Sequence, residues 1–285
     1  MRKWIYLAGV LCLCSILLQP VYANDKPKNI MLLFDLNDHN KEIESTIDLF
    51  FKKILNSKDQ IMVMTPANKI YSYSSTALRQ SRNKINREVR EAVRKHTSVS
   101  GSDYKNIYSQ MLRIVEEIRE QTGSQDVKNL MAAYENHRDE MKRTRSISED
   151  LLVKLSEVFQ RSKEITGNTE NLVYLFFQKE LRPIPDKNSM DRIRDNPQLA
   201  FKAAEVFLGE GSRTDFNAEQ IGEAFKKAGV TFHFIYISPK EISTQRYQLI
   251  DNSGGLYSAL SVIAKITGGE KTTTAQPKSI FEKLE

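Results

Sequence analysis

The most constraining feature of the chain is a continuous apolar run that ends abruptly in polar side chains. Ile30 to Phe34 are all apolar, Asp35 follows directly, and Asn37, Asp38 and His39 come next. An apolar run without polar alternation is typical of a strand buried on both faces, as in a parallel sheet. In open α/β sheets, ligands bind beyond the carboxyl ends of such strands. The sequence therefore predicts a candidate binding site immediately after this run.

The first residues have the composition of a secretory signal. Arg2 and Lys3 precede an apolar core from Ile5 to Leu18, and Val21-Tyr22-Ala23 provides a small-residue cleavage site. We therefore expect residues 1–23 to be a signal peptide and residues 24–285 to form a single exported domain, periplasmic or secreted. No later stretch approaches the roughly 20 apolar residues that cross a bilayer, so we expect no membrane span in the mature chain.

Cysteine content and charge exclude several classes of function. Cys12 and Cys14 both lie in the predicted signal peptide, so the mature chain would contain no disulfide, thiolate metal site or cysteine nucleophile. Removal of Arg2 and Lys3 lowers the formal net charge from +6 to +4. Basic residues also alternate with acidic ones, as in the segment Arg87 to Glu91. This pattern argues against a nucleic-acid-binding surface.

Hydrophobic periodicity predicts an alternation of strands and helices. Buried strands are predicted at 29–34, 60–65, 171–178 and 230–237, an edge strand at 70–74 and a short strand at 271–274. Helices are predicted at about 41–55, 76–96, 107–118, 198–208, 218–228 and 260–267, with a last helix from Lys278. Residues 97–103 are predicted to form a loop and residues 181–197 an irregular stretch. The link between the second and third strands is so short that they must be antiparallel if they pair.

This order of elements predicts a doubly wound α/β fold with a mostly parallel central sheet and one antiparallel edge strand. Residues 121–168 interrupt the alternation with two further apolar stripes at helical spacing, which predict an inserted helical hairpin. The charged segment from Glu135 to Arg145 is either a solvated face of this insertion or a surface for a partner.

The first strand and the late helix-glycine-strand unit resemble those of a von Willebrand factor A-type (vWA) domain. That family continues its first strand with Asp-x-Ser-x-Ser, whereas this chain has Asp35-Leu36-Asn37-Asp38-His39, which keeps the aspartate and replaces both serines. Gly101-Ser102-Asp103 is similar to the family's glycine-rich turn, with Ser102 in the place of its metal-binding threonine; alternatively, Ser102 or Asp103 is a helix N-cap. Gln178 stands where the family's fourth strand ends in an aspartate.

The resemblance implies a site for a divalent cation, usually magnesium, which prefers hard oxygen ligands. The candidate ligands are Asp35, Asn37 and Ser102, and the neighbouring ligand-binding candidates are His39, Asp103 and Gln178. Gln178 removes a charge, and the imidazole of His39 suits zinc or copper better than magnesium. We therefore expect a degenerate site with weak or absent metal dependence. The residues favour a second interpretation, in which Asp35 caps the following helix while Asn37 and His39 line a polar surface.

The resemblance implies a non-enzymatic protein-binding or adhesion module whose partner is another protein. A structural or assembly subunit of a cell-envelope complex is the alternative, and a metal-assisted hydrolase is a third possibility. The sequence shows no nucleophile elbow, phosphate loop or zinc-helix motif. Ser253-Gly254-Gly255 is glycine-rich, but it does not join a predicted strand to a predicted helix as a phosphate loop would.

Overall fold

A computed structural model describes residues 26–39, 41–121, 123–166, 169–209, 216–238, 245–278 and 281, with residues 162 and 164–166 described by their backbone only. The predicted signal peptide and almost all of the predicted last helix lie outside these residues. Within them, no helix is both long and apolar enough to cross a membrane.

The strands are β1 (Lys28–Asp35), β2 (Gln60–Met64), β3 (Ile70–Tyr73), β4 (Glu170–Gln178), β5 (Leu181–Pro185), β6 (Val230–Ile237), β7 (Tyr247–Asp251) and β8 (Lys271–Thr274). The helices are α1 (Lys41–Leu49), α2 (Ser75–Glu120), α3 (Ser124–Arg143), α4 (Glu149–Thr166), α5 (Lys187–Arg194), α6 (Pro197–Ala203), α7 (Ala218–Lys227) and α8 (Gly254–Ile266). Single π-helical turns extend α1 through Phe50–Ile54 and α6 through Ala204–Leu208.

The central sheet has the strand order β3-β2-β1-β4-β6-β8. Five of these strands are parallel, and β3 is antiparallel to β2, as the short link requires. β1 lies in the middle, where Leu32 pairs with Val63 on one side and Tyr174 on the other. This position explains the unbroken apolar run, because both faces of β1 are covered. The predicted fold class is confirmed: a doubly wound α/β fold with a mostly parallel central sheet and one antiparallel edge strand.

Helices cover both faces of the sheet. Even-numbered residues of β1 pack with α1 and the first half of α2, and odd-numbered ones pack with α4, α7 and α8. The first face includes the side chains of Ile30, Leu32, Phe34, Ile43, Phe50, Ile85 and Val89. The second includes Met31, Leu33, Leu152, Phe159, Phe225, Leu260 and Ile263. This alternation follows from the two-residue repeat of a strand.

Helix α2 is continuous across the predicted loop at 97–103, so this prediction was wrong. The small hydroxyl residues that suggested a loop instead bond to carbonyls one turn back along their own helix. Thr97 donates to the Val93 carbonyl at 2.8 Å, Ser98 to Arg94 at 3.1 Å, and Ser100 to His96 at 2.9 Å. α2 is kinked at Ser81, where φ is −143° and ψ is 30°. At 1.5 Å per residue, the part that follows, from Arg82 to Glu120, extends for roughly 58 Å.

The second half of α2 belongs to a second hydrophobic unit, which we call the lobe: residues 104–143, 181–208 and 247–251. Its buried side chains come from α2, α3, β5, α5 and α6, and include Met111, Val115, Met131, Tyr134, Ile184, Leu199 and Phe207. Residues 181–197 are therefore not irregular as predicted. They form β5, which pairs antiparallel with β7, followed by α5. Prolines hid this strand because they normally interrupt sheets, but a two-stranded ribbon has an open edge on each strand.

The predicted insertion at 121–168 contains two helices with different packing partners. α3 packs on α2 and α6 in the lobe, whereas α4 packs on the second face of the sheet and against α7. The insertion thus contributes one helix to the lobe and one to the central fold.

A buried arginine holds the lobe together. Arg182 on β5 is only 2% exposed. Its Nη1 donates to the Tyr134 hydroxyl at 3.2 Å and to the Val206 carbonyl at 3.3 Å, and its Nη2 donates to the Phe207 carbonyl at 3.1 Å. These carbonyls end the helical segment after α6. The Val206 carbonyl also accepts from Arg138 Nη1 at 3.1 Å, whereas Arg182 is the donor to the Phe207 carbonyl.

We predict that Arg182→Met lowers the free energy of unfolding by about 2 kcal/mol, because it leaves the buried Phe207 carbonyl without its donor and removes one hydrogen bond each from the Val206 carbonyl and the Tyr134 hydroxyl. Urea titration followed by circular dichroism measures this change. The control is Arg194→Met, at a side chain that is 55% exposed, which should change stability by less than about 0.5 kcal/mol. Equal losses in the two variants would contradict this role of Arg182.

Candidate functional site at the carboxyl edge of the sheet

Asp35 lies at the carboxyl end of β1 and is 5% exposed. Its Oδ1 accepts a hydrogen bond from the Ser146 amide at 3.3 Å, and its Oδ2 accepts one from the Ile147 amide at 3.2 Å. These amides belong to the link between α3 and α4. Asp35 was expected to cap the helix that follows it; instead it fastens this distant link to the sheet edge.

Gln178 holds the loop between β1 and α1. Its Oε1 accepts hydrogen bonds from the amides of Asn37, at 2.9 Å, and Asp38, at 2.8 Å. The Asp38 carboxylate pairs with Lys105 of α2 at 2.8 Å, and His39 Nε2 lies 3.0 Å from Glu44 Oε1. A neutral side-chain oxygen from β4 therefore organises the loop that the vWA resemblance would organise around a metal.

Helix α2 passes very close to this loop. A Cβ atom at Gly101 would overlap the Asn37 carbonyl oxygen, so only glycine fits there. The residues Gly101-Ser102-Asp103 are thus helical, which overturns both the prediction of a glycine-rich turn and that of an N-cap. Ser102 and Asp103 are exposed on α2. The structure brings Asn37, Gln178 and Gly101 together and leaves the other two facing solvent.

Sequence reasoning missed the strongest interaction at this edge. Arg145 Nε and Nη2 donate to the two carboxylate oxygens of Glu180 at 2.9 and 2.6 Å, a bidentate pair. Arg145 Nη2 also donates to the Asn252 carbonyl at 3.0 Å, and the Asn252 side-chain amide donates to Glu180 Oε2 at 3.3 Å. Glu180 is 1% exposed, so the pair is shielded from solvent.

One sequence signal could have located this pair. Glu180 comes two residues after the end of β4, at the same edge of the sheet as Asp35. A charged residue so close to the carboxyl end of a buried parallel strand is a site candidate by position alone. Arg145 offered no such signal, because it lies at the end of a long run of charged residues.

The electrostatics of the edge follow from two buried carboxylates and one buried guanidinium. Burial raises the pKa of Asp35 to about 6, and the nearby charge of Glu180 adds to this shift. The amides of Ser146 and Ile147 and the charge of Arg145 oppose it. Burial alone would lower the pKa of Arg145, but the hydrogen bonds and charge of Glu180 raise it. The guanidinium therefore remains charged and partly balances both carboxylates.

The predicted metal ligands do not present the hard-oxygen set that magnesium requires. Both oxygens of Asp35 accept backbone amides, and Ser102 is exposed on α2. Among the residues that the structure describes, no group of three or more His, Cys, Asp or Glu could hold a metal ion. Metal binding at this edge stays a prediction, and the arrangement does not favour it.

The glycine-rich segment Ser253-Gly254-Gly255 does join a strand to a helix, β7 to α8, contrary to the sequence interpretation. Its Ser253 is buried: the hydroxyl accepts from the Glu180 amide at 2.8 Å, and the Ser253 amide donates to Asp251 Oδ1 at 2.7 Å. Carboxylates of Asp251 and Glu180 beside the start of α8 disfavour a phosphate group there, because like charges repel.

Comparisons with known proteins return only distant structural overlaps. No family model matches the chain, and no curated protein is significantly similar in sequence. The human COPII-coat protein Sec24c overlaps 91% of this chain at 8% identity and a TM-score of 0.40, and this chain spans only about a third (32%) of that protein. An aerotolerance-related membrane protein from Bacteroides fragilis overlaps 90% of this chain and 96% of its own length, at 8% identity and a TM-score of 0.37.

The raised pKa of Asp35 predicts a specific pH dependence of stability. The folded state holds this proton more tightly than the unfolded state, whose pKa is near 3.8. The Asp35 contribution to the free energy of unfolding is therefore fully present below pH 3.8 and is lost as the pH rises through about 6. Asn cannot titrate, so Asp35→Asn should gain up to about 3 kcal/mol relative to the wild type between pH 4 and pH 7. Urea titrations at several pH values measure this difference, and parallel stability profiles would contradict it.

The close approach of α2 to the β1–α1 loop predicts a penalty for any side chain at Gly101. Gly101→Ala gains helix propensity, but its methyl group must displace backbone, which leaves a net loss of about 1 to 2 kcal/mol. Ser102→Ala, one residue further and exposed, should change stability by less than about 0.5 kcal/mol. Thermal unfolding of both variants tests the contact, and a stabilised Gly101→Ala variant would show that the helix does not press on Asn37.

Proposed function

We propose that the chain is an exported, non-enzymatic vWA-like module that binds another protein without depending on a divalent cation. The observation that carries this proposal is the buried Arg145–Glu180 pair at the carboxyl edge of the sheet. A guanidinium supplies positive charge where the vWA resemblance implies a metal ion, and the lobe lies over the same edge. Recognition then falls to surfaces away from that edge.

Exposed apolar side chains on the lobe support a protein partner. Phe201 on α6 is 82% exposed, and Leu208, at the end of the π-helical turn that extends α6, is 47% exposed. A contiguous exposed apolar patch is typical of a protein contact site, whereas single exposed apolar side chains are common, so this support requires Phe201 and Leu208 to belong to one patch. By contrast, the charged face of α3 is largely satisfied within itself, since Arg138 pairs with Glu135 at 3.3 Å and Lys142 with Asp139 at 3.4 Å. These pairs favour the solvated interpretation of that face.

The alternative proposal is a structural or assembly subunit of an envelope complex. The long helix α2 favours it, because one rigid element joins the core of the sheet to the core of the lobe. Deleting the whole insertion would not separate these functions, since α4 is part of the sheet packing. Phe201→Ser is a better probe: it changes the lobe surface and leaves both cores intact.

Metal independence is tested by isothermal titration of the mature, chelator-treated chain with magnesium, manganese and zinc. We expect no saturable heat, because both oxygens of Asp35 are committed to backbone amides. The matched variant is Asp35→Ala. Saturable binding that disappears in this variant would contradict the proposal and restore a metal-dependent adhesion site.

A further inference from the structure

The first half of α2 has a surplus of positive charge nearly as large as the net charge of the whole chain. Residues 75–96 contain seven basic and two acidic residues, a formal surplus of five, against a net charge of +6 for all 285 residues. The basic residues are Arg79, Arg82, Lys84, Arg87, Arg90, Arg94 and Lys95. The local alternation with glutamate obscured this concentration in the sequence.

The packing of α2 turns its basic side chains towards one side of the molecule. Leu78, Ile85, Val89 and Val93 are buried against the sheet, so the helix cannot rotate. On its outer side, α2 and the first turns of α1 enclose a hollow of about 230 Å³. Three guanidinium groups line it, at Arg87, Arg90 and Arg94, together with the carboxylates of Glu44 and Glu91.

Two of these guanidinium groups have no carboxylate at ion-pair distance among the residues that the structure describes. Arg94 lies 3.9 Å from Glu44, but Glu44 already contacts His39 at 3.0 Å. Neither Arg87 nor Arg90 forms such a pair with a described residue; the charge of Arg90 does help to lower the pKa of the Asp48 carboxyl, but that carboxylate makes its close contact with Lys52, at 2.6 Å. The Nε atom of Arg90 is shielded from solvent and has no hydrogen-bond acceptor there. A concave site with unpaired guanidinium donors is complementary to a carboxylate, which two parallel N–H groups can bind at once.

We infer that this hollow receives glutamate or aspartate side chains from an acidic segment of the protein partner. The inference rests on the proposed protein-binding function and names the face and the chemistry of the contact. Glu44 and Glu91 in the wall favour a peptide over a nucleic acid, because they interrupt the positive surface that evenly spaced phosphates require. The same carboxylates can form ion pairs with basic residues of the partner, and such pairs would fix the register of the bound segment.

The test is fluorescence anisotropy with a labelled peptide of alternating glutamate and glycine, at about physiological ionic strength. The mature chain should bind this peptide and should not bind its glutamine counterpart. Arg87→Gln/Arg90→Gln should weaken binding at least about fivefold. The control is Arg113→Gln/Arg143→Gln, which removes the same charge from exposed sites in the lobe and should weaken binding less than about twofold. Thermal unfolding confirms that all variants fold.

A second double variant distinguishes the effect of guanidinium geometry on binding from the effect of charge alone. Arg87→Lys/Arg90→Lys keeps both charges but removes the planar donor pairs, so it should still lose at least about twofold. Unchanged binding in this variant, equal losses in the lobe control, tighter binding of a single-stranded DNA of equal charge, or no binding of the acidic peptide would each overturn the inference. If the peptide experiment overturns this inference while the metal titration shows no binding, the proposed metal-independent function stands and the partner must bind another face.

Discussion

The structure depends on a charge pair that is made where sheet and lobe meet. Arg145 follows α3, Glu180 precedes β5, and Asn252 follows β7, so three distant segments converge on one guanidinium. A buried ion pair adds little net stability, because the desolvation of both groups offsets their attraction. Breaking the pair is costly, however: removing one partner leaves an isolated buried charge and destabilises the fold by about 3 to 5 kcal/mol. The pair therefore fixes how the lobe sits on the edge of the sheet.

The Arg145–Glu180 pair has an unfavourable effect on the neighbouring carboxylate of Asp35. Two carboxylates share one guanidinium, and the nearer contacts of Arg145 go to Glu180, so Asp35 is stabilised mainly by two backbone amides. That is too little to keep a fully buried carboxylate at its usual pKa, which explains its rise to about 6. In the vWA pattern, the same aspartate would meet a divalent cation. Here the carboxylate of Asp35 instead accepts hydrogen bonds from two amides of the α3–α4 link.

The fold could be predicted from sequence because its signals are local. The buried run of β1, the short link before β3 and the glycine at 229, which has φ 70°, each fix a piece of backbone without reference to distant residues. The lobe could not be predicted in this way. Its strand β5 contains two prolines and pairs with a strand more than sixty residues away, and α2 crosses a serine-rich segment whose hydroxyls bond inside the helix. Of the candidate site, Asp35, Asn37 and Gln178 were found by position, but their contacts were not. Asp35 binds the α3–α4 link and Asn37 lies against α2, and both partners come from distant parts of the sequence.

The proposed function uses surfaces that the vWA resemblance does not indicate, because the carboxyl edge of the sheet is closed. A metal-centred site must leave one position of the ion open, so it needs an accessible edge. This chain instead has a shielded guanidinium there, and its unpaired guanidinium groups line an open hollow on the outer side of α2. Both features rest on the same helix: Gly101 lets α2 pass the β1–α1 loop closely enough for the lobe to cover the edge. The buried stripe of its first half points Arg87 and Arg94 outward. One long helix thus both helps to close the site expected from sequence and carries the surface that we propose for the partner.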